Sequence, residues 1–562
     1  MKRINIINCL GVLTAMLFGC GGGGSTGVVS DSTNVTTAVA VQQVVATSNY
    51  VTGLTQTITP AYGTLPVKGE SRTDTVTGAT ITRITDGPAE GRPTVYSSLN
   101  NYSRYTPVNI TNEYLIATHE DSQSSTLYRL ADNTAVTLLR GDGNGVIGSG
   151  NSTRWSYNPA EPYVVYFVSG MKFYKMNVLT NNGDPTLLHD FSAEFPAGNY
   201  VAIGDNGDSS NNSRYWAFNI GSAAYVNGWQ VIGVVTYDAV TNSIISTRTP
   251  EDFGRQGGMY LYLSEMSGSG DKVHLMFNSA RGTCGVSLTG TWTHEGGNVY
   301  SYSYTRPSIY DNVDDLKVNG VPLWRMGSTA ASNGTLGMIT AAGQYTYSGA
   351  TNTLYARLSD DSDPNTKTMT LDVGNRACYA GTVMDGTQVL NRDFSGTPVR
   401  VGYSTNHSAW AFDANGDEVY VSVNDSTGYV ISCKTTGTWP DNCANVLNLN
   451  EVGWANYHFA KMYNQNLKGW VVMDTYVTTS TNEIDNQVML VQLKSSPAIW
   501  RVAPKYNAYT GGYRSQAPTA MSFDGLSLWH SSNWGDPART VFDVYKIGLP
   551  TDWHSRLNGM NP

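Results

Sequence analysis

The sequence predicts an all-β protein, a seven-bladed β-propeller interrupted by a small inserted β domain. Seven polar segments, each opening a run of strand-forming residues, begin near Tyr102, Thr153, Asp205, Gly257, Thr405, Tyr457 and Arg514. Their steps are 51, 52, 52, 148, 52 and 57 residues. A period of about 50 residues with four strands per unit is the mark of blades set around an axis. The one long step exceeds a period by 96 residues, and a stretch of different texture between Cys284 and Cys378 accounts for it. Composition agrees: only 14% of residues are charged, while Tyr numbers 35, Trp 13 and Gly 58, so strand and turn formers dominate.

In chain order, residues 1–19 read as a removable signal. Lys2 and Arg3 form a basic start, and Ile6 to Phe18 is an apolar run too short to span a bilayer. Leu17-Phe18-Gly19-Cys20 resembles the lipobox of bacterial lipoproteins, which implies cleavage before Cys20 and acylation of its thiol. Gly21 is not the Asp that retains many lipoproteins at the inner membrane, so the resemblance implies a lipid anchor at the outer membrane or cell surface. Residues 20–58 are rich in Gly, Ser, Thr and Val and read as a flexible tether. The propeller is expected in two parts, 59–284 and 378–562, around an inserted β module at 285–377. Thr80-Ile81-Thr82-Arg83-Ile84 is expected to close the ring against the last blade, removing exposed sheet edges.

Within the units, apolar alternation and Asp/Asn-Gly turns specify hairpins. His407-Ser408-Ala409-Trp410-Ala411-Phe412 leads through Asp413-Ala414-Asn415-Gly416-Asp417 into Val419-Tyr420-Val421-Ser422-Val423. The insertion contains Leu316-Lys317-Val318-Asn319-Gly320-Val321, Gly343-Gln344-Tyr345-Thr346-Tyr347, Asn352-Thr353-Leu354-Tyr355-Ala356-Arg357-Leu358 and Asp363-Pro364-Asn365. It resembles a small β module of bacterial extracellular, polysaccharide-associated proteins, which implies a glycan-binding arm or a packing decoration. Cys9 leaves with the signal. Of the three pairings open to the remaining Cys284, Cys378, Cys433 and Cys443, we expect Cys433–Cys443 around Trp439-Pro440-Asp441, and Cys284–Cys378 at the base of the insertion.

The formal charge of −9 falls to −11 without Lys2 and Arg3, which excludes nonspecific nucleic-acid binding. Gly143-Asn144-Gly145-Val146-Ile147-Gly148 matches a dinucleotide string, but no helix follows to present its amides. Asp205-Asn206-Gly207-Asp208 and Asp360-Asp361-Ser362-Asp363 lack the spaced ligands of a calcium loop and read as turns. Blade geometry would instead gather Arg104, Arg154, Asp205, Arg255, Gln256, His407, His458, Lys461, Arg514 and Gln516 around a central channel. A funnel lined by cations concentrates an anionic ligand, arginine pairs with carboxylate, and a near-neutral histidine removes a proton. This set suits β-elimination on a uronic acid. Arg104, Arg154, His407 and His458 are then the catalytic candidates, with Arg255, Lys461, Arg514 and Asp205 binding substrate.

The last unit carries a resemblance to known proteins. Gln516-Ala517-Pro518, Ser522-Phe523-Asp524-Gly525, Ser531-Ser532-Asn533-Trp534-Gly535 and Asp543-Val544-Tyr545 resemble the final blade of TolB/WD40-like propellers, and in particular of the oligogalacturonate lyases. The resemblance implies eliminative cleavage of a uronate oligosaccharide. It also implies a divalent cation, Ca or Mn, held by Gln516 with His407 and His458 in the place of clustered histidines. The expectation is thus a surface lipoprotein that recognises an acidic polysaccharide and, if an enzyme, is a polysaccharide lyase. The alternative is a noncatalytic glycan- or protein-binding scaffold. Hydrolysis ranks below both, because no carboxylate pair is placed for it.

Overall fold

A computed structural model describes residues 48–559 except 55–57, 59, 92–101, 120–123, 148–152, 204–206, 223–229, 254–258, 278–282, 306–312, 327–333, 374–376, 380–381, 385, 403–406, 425–426, 452–455, 477–483, 510–512 and 540. The chain divides into two units, 1–43 and 44–562, and everything below concerns the second. The predicted signal, Cys20 and most of the tether lie outside the described residues.

The unit is all-β, built of many small, mostly antiparallel sheets. Three four-stranded sheets have strand order equal to chain order. One comprises Arg154–Trp155, Val164–Ser169, Lys172–Asn177 and Thr186–Asp190. Another comprises Ala409–Phe412, Glu418–Asn424, Tyr429–Lys434 and Cys443–Asn448. The third comprises Asn456–Ala460, Trp470–Tyr476, Gln487–Gln492 and Ile499–Pro504. Successive strands pair with one another, so each sheet is a local meander. At the Ser522–Ser527 turn, Gly525 has φ +73° and a Cβ there would overlap the side chain of Leu467, which is why the Asp-Gly pair stands at this point.

The expected closing strand is present. Thr80–Arg83 pairs with Asp543–Gly548 in register Thr80↔Gly548 to Arg83↔Tyr545, bringing both ends of the unit into one five-stranded sheet. Arg83 reinforces the seam: its guanidinium donates to Asp543 at 2.8 Å and to the Pro66 carbonyl at 2.9 Å, all buried. The C-terminal residues Trp553–Gly559 form a helix that the sequence reading did not anticipate, and Trp553 packs within 6.2 Å of Trp470 and 6.0 Å of Trp500.

Two boundaries differ from expectation. The units beginning near Asp205 and Gly257 are not separate sheets: Gln230–Asp238 pairs with Met259–Met266 through Gln230↔Tyr260 and Val231↔Met259, joining them into one eight-stranded sheet. Here the strands run long enough for their ends to pair, where a turn would have kept them apart. The 148-residue step is also interrupted earlier than the cysteines suggested. Lys272–Phe277 pairs directly with Gly386–Asn391, from Lys272↔Asn391 to Phe277↔Gly386, so the chain departs and returns within one sheet. Residues between form three further sheets, one of them the two-stranded pair Ala377–Tyr379 and Thr382–Met384. The two larger ones cover an apolar cluster whose buried members come from positions 288–373, with Leu316, Tyr345, Leu354 and Leu371 fully buried.

Cys433 and Cys443 are directly opposed on neighbouring strands and disulfide-bonded, with Cα atoms 4.0 Å apart. The side chains of Cys284 and Cys378 lie outside the description.

Candidate functional site

Residues far apart in sequence converge, as the repeat required. Arg104, fully buried, donates to Glu265 Oε2 at 3.1 Å, Ser408 Oγ at 2.7 Å and Tyr420 Oη at 3.2 Å. Lys461, also buried, donates to Asp208 Oδ2 at 3.2 Å and to the Ser209 carbonyl at 2.7 Å. Tyr157 and Tyr463 donate to the same Asp208 oxygen at 2.9 and 3.0 Å, and Tyr463 Oη accepts from the Thr106 amide at 2.9 Å. Arg154 donates to the Gly207 and Thr153 carbonyls and lies 3.5 Å over the Tyr105 ring.

These cations are therefore answered inside the protein. Arg104 faces Glu265, Lys461 faces Asp208, and Arg154 is spent on carbonyls and an aromatic face. None of the three presents a solvent-facing charge, because each is 2% exposed or less. Burial raises Asp208, and Lys461 and then Arg154 only partly offset it. Burial also pushes Glu265 up, but His274, Arg104 and Lys461 outweigh that and hold it below the ordinary glutamate value. His274 Nδ1 lies 3.5 Å from Glu265 Oε2, and burial lowers its imidazole to about 4, against the pull of Glu265.

A second cluster surrounds His458. His407 and His458 sit with ring centroids 4.4 Å apart; His407 is partly exposed and His458 fully buried. His458 Nδ1 lies 3.2 Å from Asp474 Oδ1, and the two residues are direct cross-strand partners. Asp474 Oδ1 also accepts from Lys505 Nζ at 2.8 Å, and Oδ2 accepts from the Thr519 amide at 2.6 Å. Lys505 donates further to the Gln516 carbonyl at 2.6 Å, and His530 Nε2 lies 3.0 Å from the Lys505 carbonyl oxygen. Tyr476 stacks on His458 at 4.9 Å, and Tyr102 meets it edge-on at 5.7 Å.

The electrostatics of this cluster follow from burial against pairing. Burial, then the neighbouring His458, holds His407 well below its ordinary value, so the ring is neutral at neutral pH. Burial, then the Lys505 ammonium, lowers His530 to about 3. Burial pushes Asp474 up, but Lys505 and His458 outweigh it and the carboxyl ends below its usual range. Burial lowers Lys505, and Asp474 partly restores it.

Of the predicted set, Arg104, Arg154, Lys461, His407, His458 and Gln516 are described in full. Asp205, Arg255 and Gln256 lie outside the described residues, as does the side chain of Arg514, whose backbone belongs to the turn Tyr513–Gln516. The sequence reading set Asp208 aside as a turn residue and His530 as too far along its strand, and it missed Glu265, His274, Asp474 and Lys505. Hairpin register was the available signal: an antiparallel pair centred on the turn sets Asp474 opposite His458 and His274 opposite Glu265.

The implied metal was tested on its donors. Gln516 Oε1 and His458 Nε2 are buried without a hydrogen-bond partner. The set nonetheless offers two imidazoles and an amide with no free carboxylate, since Asp474 is bonded to Lys505. Among the described residues no three His, Cys, Asp or Glu gather as ligands. The donor set does not fit a calcium or manganese ion, and no step is routed through one.

No family model matches this chain, and no curated protein matches it. Solved structures resemble it at low identity. An oligogalacturonate lyase from Vibrio parahaemolyticus is 10% identical, covers 87% of this chain and 100% of its own, and has a TM-score of 0.45. The U3-55K protein is 8% identical over 84% of this chain and 98% of its own, TM-score 0.36, and Chaetomium thermophilum Sqt1 is 9% identical over 79% and 80%, TM-score 0.32. Likenesses this distant assign no activity, and the propeller-like reading rests on the strand pairing and on the convergence of Arg104, Asp208, Glu265 and Lys461.

Proposed function

We propose that this chain is a surface-anchored lipoprotein whose seven-bladed propeller, carrying residues 285–377 as an inserted β module, recognises an acidic uronate polysaccharide or oligosaccharide and cleaves it by β-elimination. In this reading Cys20 carries the lipid and the module extends the glycan-binding surface. The observation that carries the chemistry is the partly exposed, neutral His407 in ring contact with His458. A neutral imidazole at the edge of a buried polar cluster is a proton acceptor at neutral pH. The base takes the proton from C5 of the uronate, the electron pair forms the C4–C5 double bond, the C4–O bond breaks, and the leaving oxygen takes a proton from an acid. Neutralising the substrate carboxylate, which makes that proton acidic, is assigned to Arg255 and Arg514, because Arg104, Arg154 and Lys461 are committed within the protein. Asp205 remains a substrate-binding candidate.

The test is a panel of uronate polymers followed by the ultraviolet absorbance of the conjugated product. Turnover of one polymer that disappears in His407→Ala supports the proposal; silence across the panel with intact folding overturns it. Cys20→Ser should abolish lipid labelling and release the protein from membranes.

A second reading is a noncatalytic scaffold. It is favoured by a cleft of about 740 Å³ whose lining includes Ser269, Phe412, Glu418, Lys434 and Tyr463 and neither His407 nor His458. Glycan binding without turnover, unaffected by His407→Ala, would select it.

A further inference from the structure

We infer that Asp474 and Lys505 are positioning residues that hold His458 as the neutral Nδ1–H tautomer, leaving Nε2 as its proton-accepting nitrogen. An ionised carboxylate only accepts hydrogen bonds, so the 3.2 Å approach of Asp474 Oδ1 to His458 Nδ1 places the ring proton on Nδ1. His458 Nε2 is buried and has no hydrogen-bond partner among the described residues. The carboxylate is itself immobilised, since the Thr519 amide holds Oδ2 at 2.6 Å and Lys505 holds Oδ1 at 2.8 Å. Lys505 cannot swing away, because the Gln516 carbonyl takes a second of its donors at 2.6 Å. Tyr476 on the face and Tyr102 at the edge fix the plane of the ring.

Three ionisable groups are thus buried together, an arrangement whose desolvation a stable core would avoid by using apolar residues. Its specific product is one imidazole with a defined lone-pair nitrogen. The same relation of acid to imidazole is what orients the base of a hydrolytic triad, where the carboxylate fixes tautomer and orientation without itself taking up the proton. Lys505 supplies the compensating charge that lets Asp474 stay ionised so far from water. Any effect on turnover rests on the elimination proposed above, in which His407, in ring contact with His458, is the base; the tautomer does not.

The experiment is long-range proton–nitrogen correlation on the full chain labelled with ¹⁵N-histidine at neutral pH, with His458 assigned by its loss in His458→Gln. The expected pattern is a neutral Nδ1–H ring in the wild type that converts to Nε2–H in Asp474→Asn. In the uronate assay Asp474→Asn should lower kcat by roughly 10²- to 10⁴-fold with KM within about twofold, and Asp474→Glu should recover part of the loss. A purely structural carboxylate would leave the tautomer and the kcat-to-KM split unmoved. An imidazolium or an Nε2–H ring in the wild type overturns the inference, as does an unchanged tautomer in a folded Asp474→Asn. If Asp474→Asn does not fold, the wild-type spectrum decides alone. An Nδ1–H ring with no turnover of any uronate polymer overturns the lyase reading and leaves the positioning role standing.

Discussion

Among the described residues are two buried acid–histidine pairs built by the same device and put to different uses. Glu265 and His274 face each other across one hairpin, and Asp474 and His458 across another, with the order of acid and imidazole reversed along the chain. At the first pair the carboxylate oxygen nearest the ring is taken by Arg104, and the imidazole stands 3.5 Å off, packed 4.4 Å from Tyr420. At the second pair the imidazole approaches to 3.2 Å, the charge partner Lys505 comes from the residue that follows the strand Ile499–Pro504, and a second histidine carries the cluster toward solvent. Cross-strand pairing makes an acid–histidine contact available. What the contact does depends on which cation shares the carboxylate and whether any neighbour reaches the surface.

The sharpest way to break this comparison is to remove one imidazole at a time. His407→Ala is expected to lower uronate turnover by at least about 10²-fold, whereas His274→Gln should leave kcat within about twofold and lower stability instead. Equal losses of turnover from both would erase the distinction drawn between the pairs. Next in size, Glu265→Gln leaves the fully buried Arg104 without its counter-charge and should cost about 3–5 kcal/mol in denaturant unfolding; a cost below about 1 kcal/mol would mean the site admits water. A control remote from both pairs is the disulfide. Replacing Cys433 and Cys443 by alanine should cost about 2–3 kcal/mol, in keeping with a sequence separation of 10 residues, and leave turnover unchanged.

The remaining expected effect concerns pH. His274 and His530 are held at about 4 and about 3 in the folded protein, against an ordinary 6.5. Between those values and 6.5 the unfolded chain binds protons that the folded chain refuses, so stability falls as pH falls. Each buried imidazole contributes a slope of up to about 1.4 kcal/mol per pH unit. The lowered carboxyls of Asp474 and Glu265 extend the loss in the same direction at more acid pH. Denaturant unfolding from pH 7 to pH 4 measures this, and His274→Gln should flatten the slope by one imidazole's share. A flat wild-type profile would show that these rings are reached by solvent.

Much of the architecture could be read beforehand because local chemistry carries it. Asp524-Gly525 marks a turn only glycine suits, the β-branched and aromatic run Val419–Val423 marks a strand, which the structure buries on both faces, and Cys433 and Cys443 flank a loop short enough to oppose them. The closing strand was visible as an isolated β-forming run ahead of the first repeat. The fusion of two units through Gln230↔Tyr260 was not, since strand length past a turn leaves little trace in composition. At the site, His407, His458, Arg104 and Lys461 stood out by residue type and position in the repeat. Their partners did not, because Asp474 lies on the second strand of its unit, Glu265 near the far end of a long first strand and Lys505 just past a last strand, away from the segments that open each unit.

From sequence alone come the all-β class, the repeat, the break in it and the convergence of distant segments, since hydrophobic alternation and turn residues act over a few positions and repeat along the chain. Only the tertiary structure decided which charges are spent on one another. Whether Arg104 meets a ligand or Glu265, and whether a carboxylate orients His458, depends on distances of a few ångströms between strands more than a hundred residues apart or on register across a hairpin. Burial then sets the protonation states, because the charged form survives away from water only where a partner is within reach.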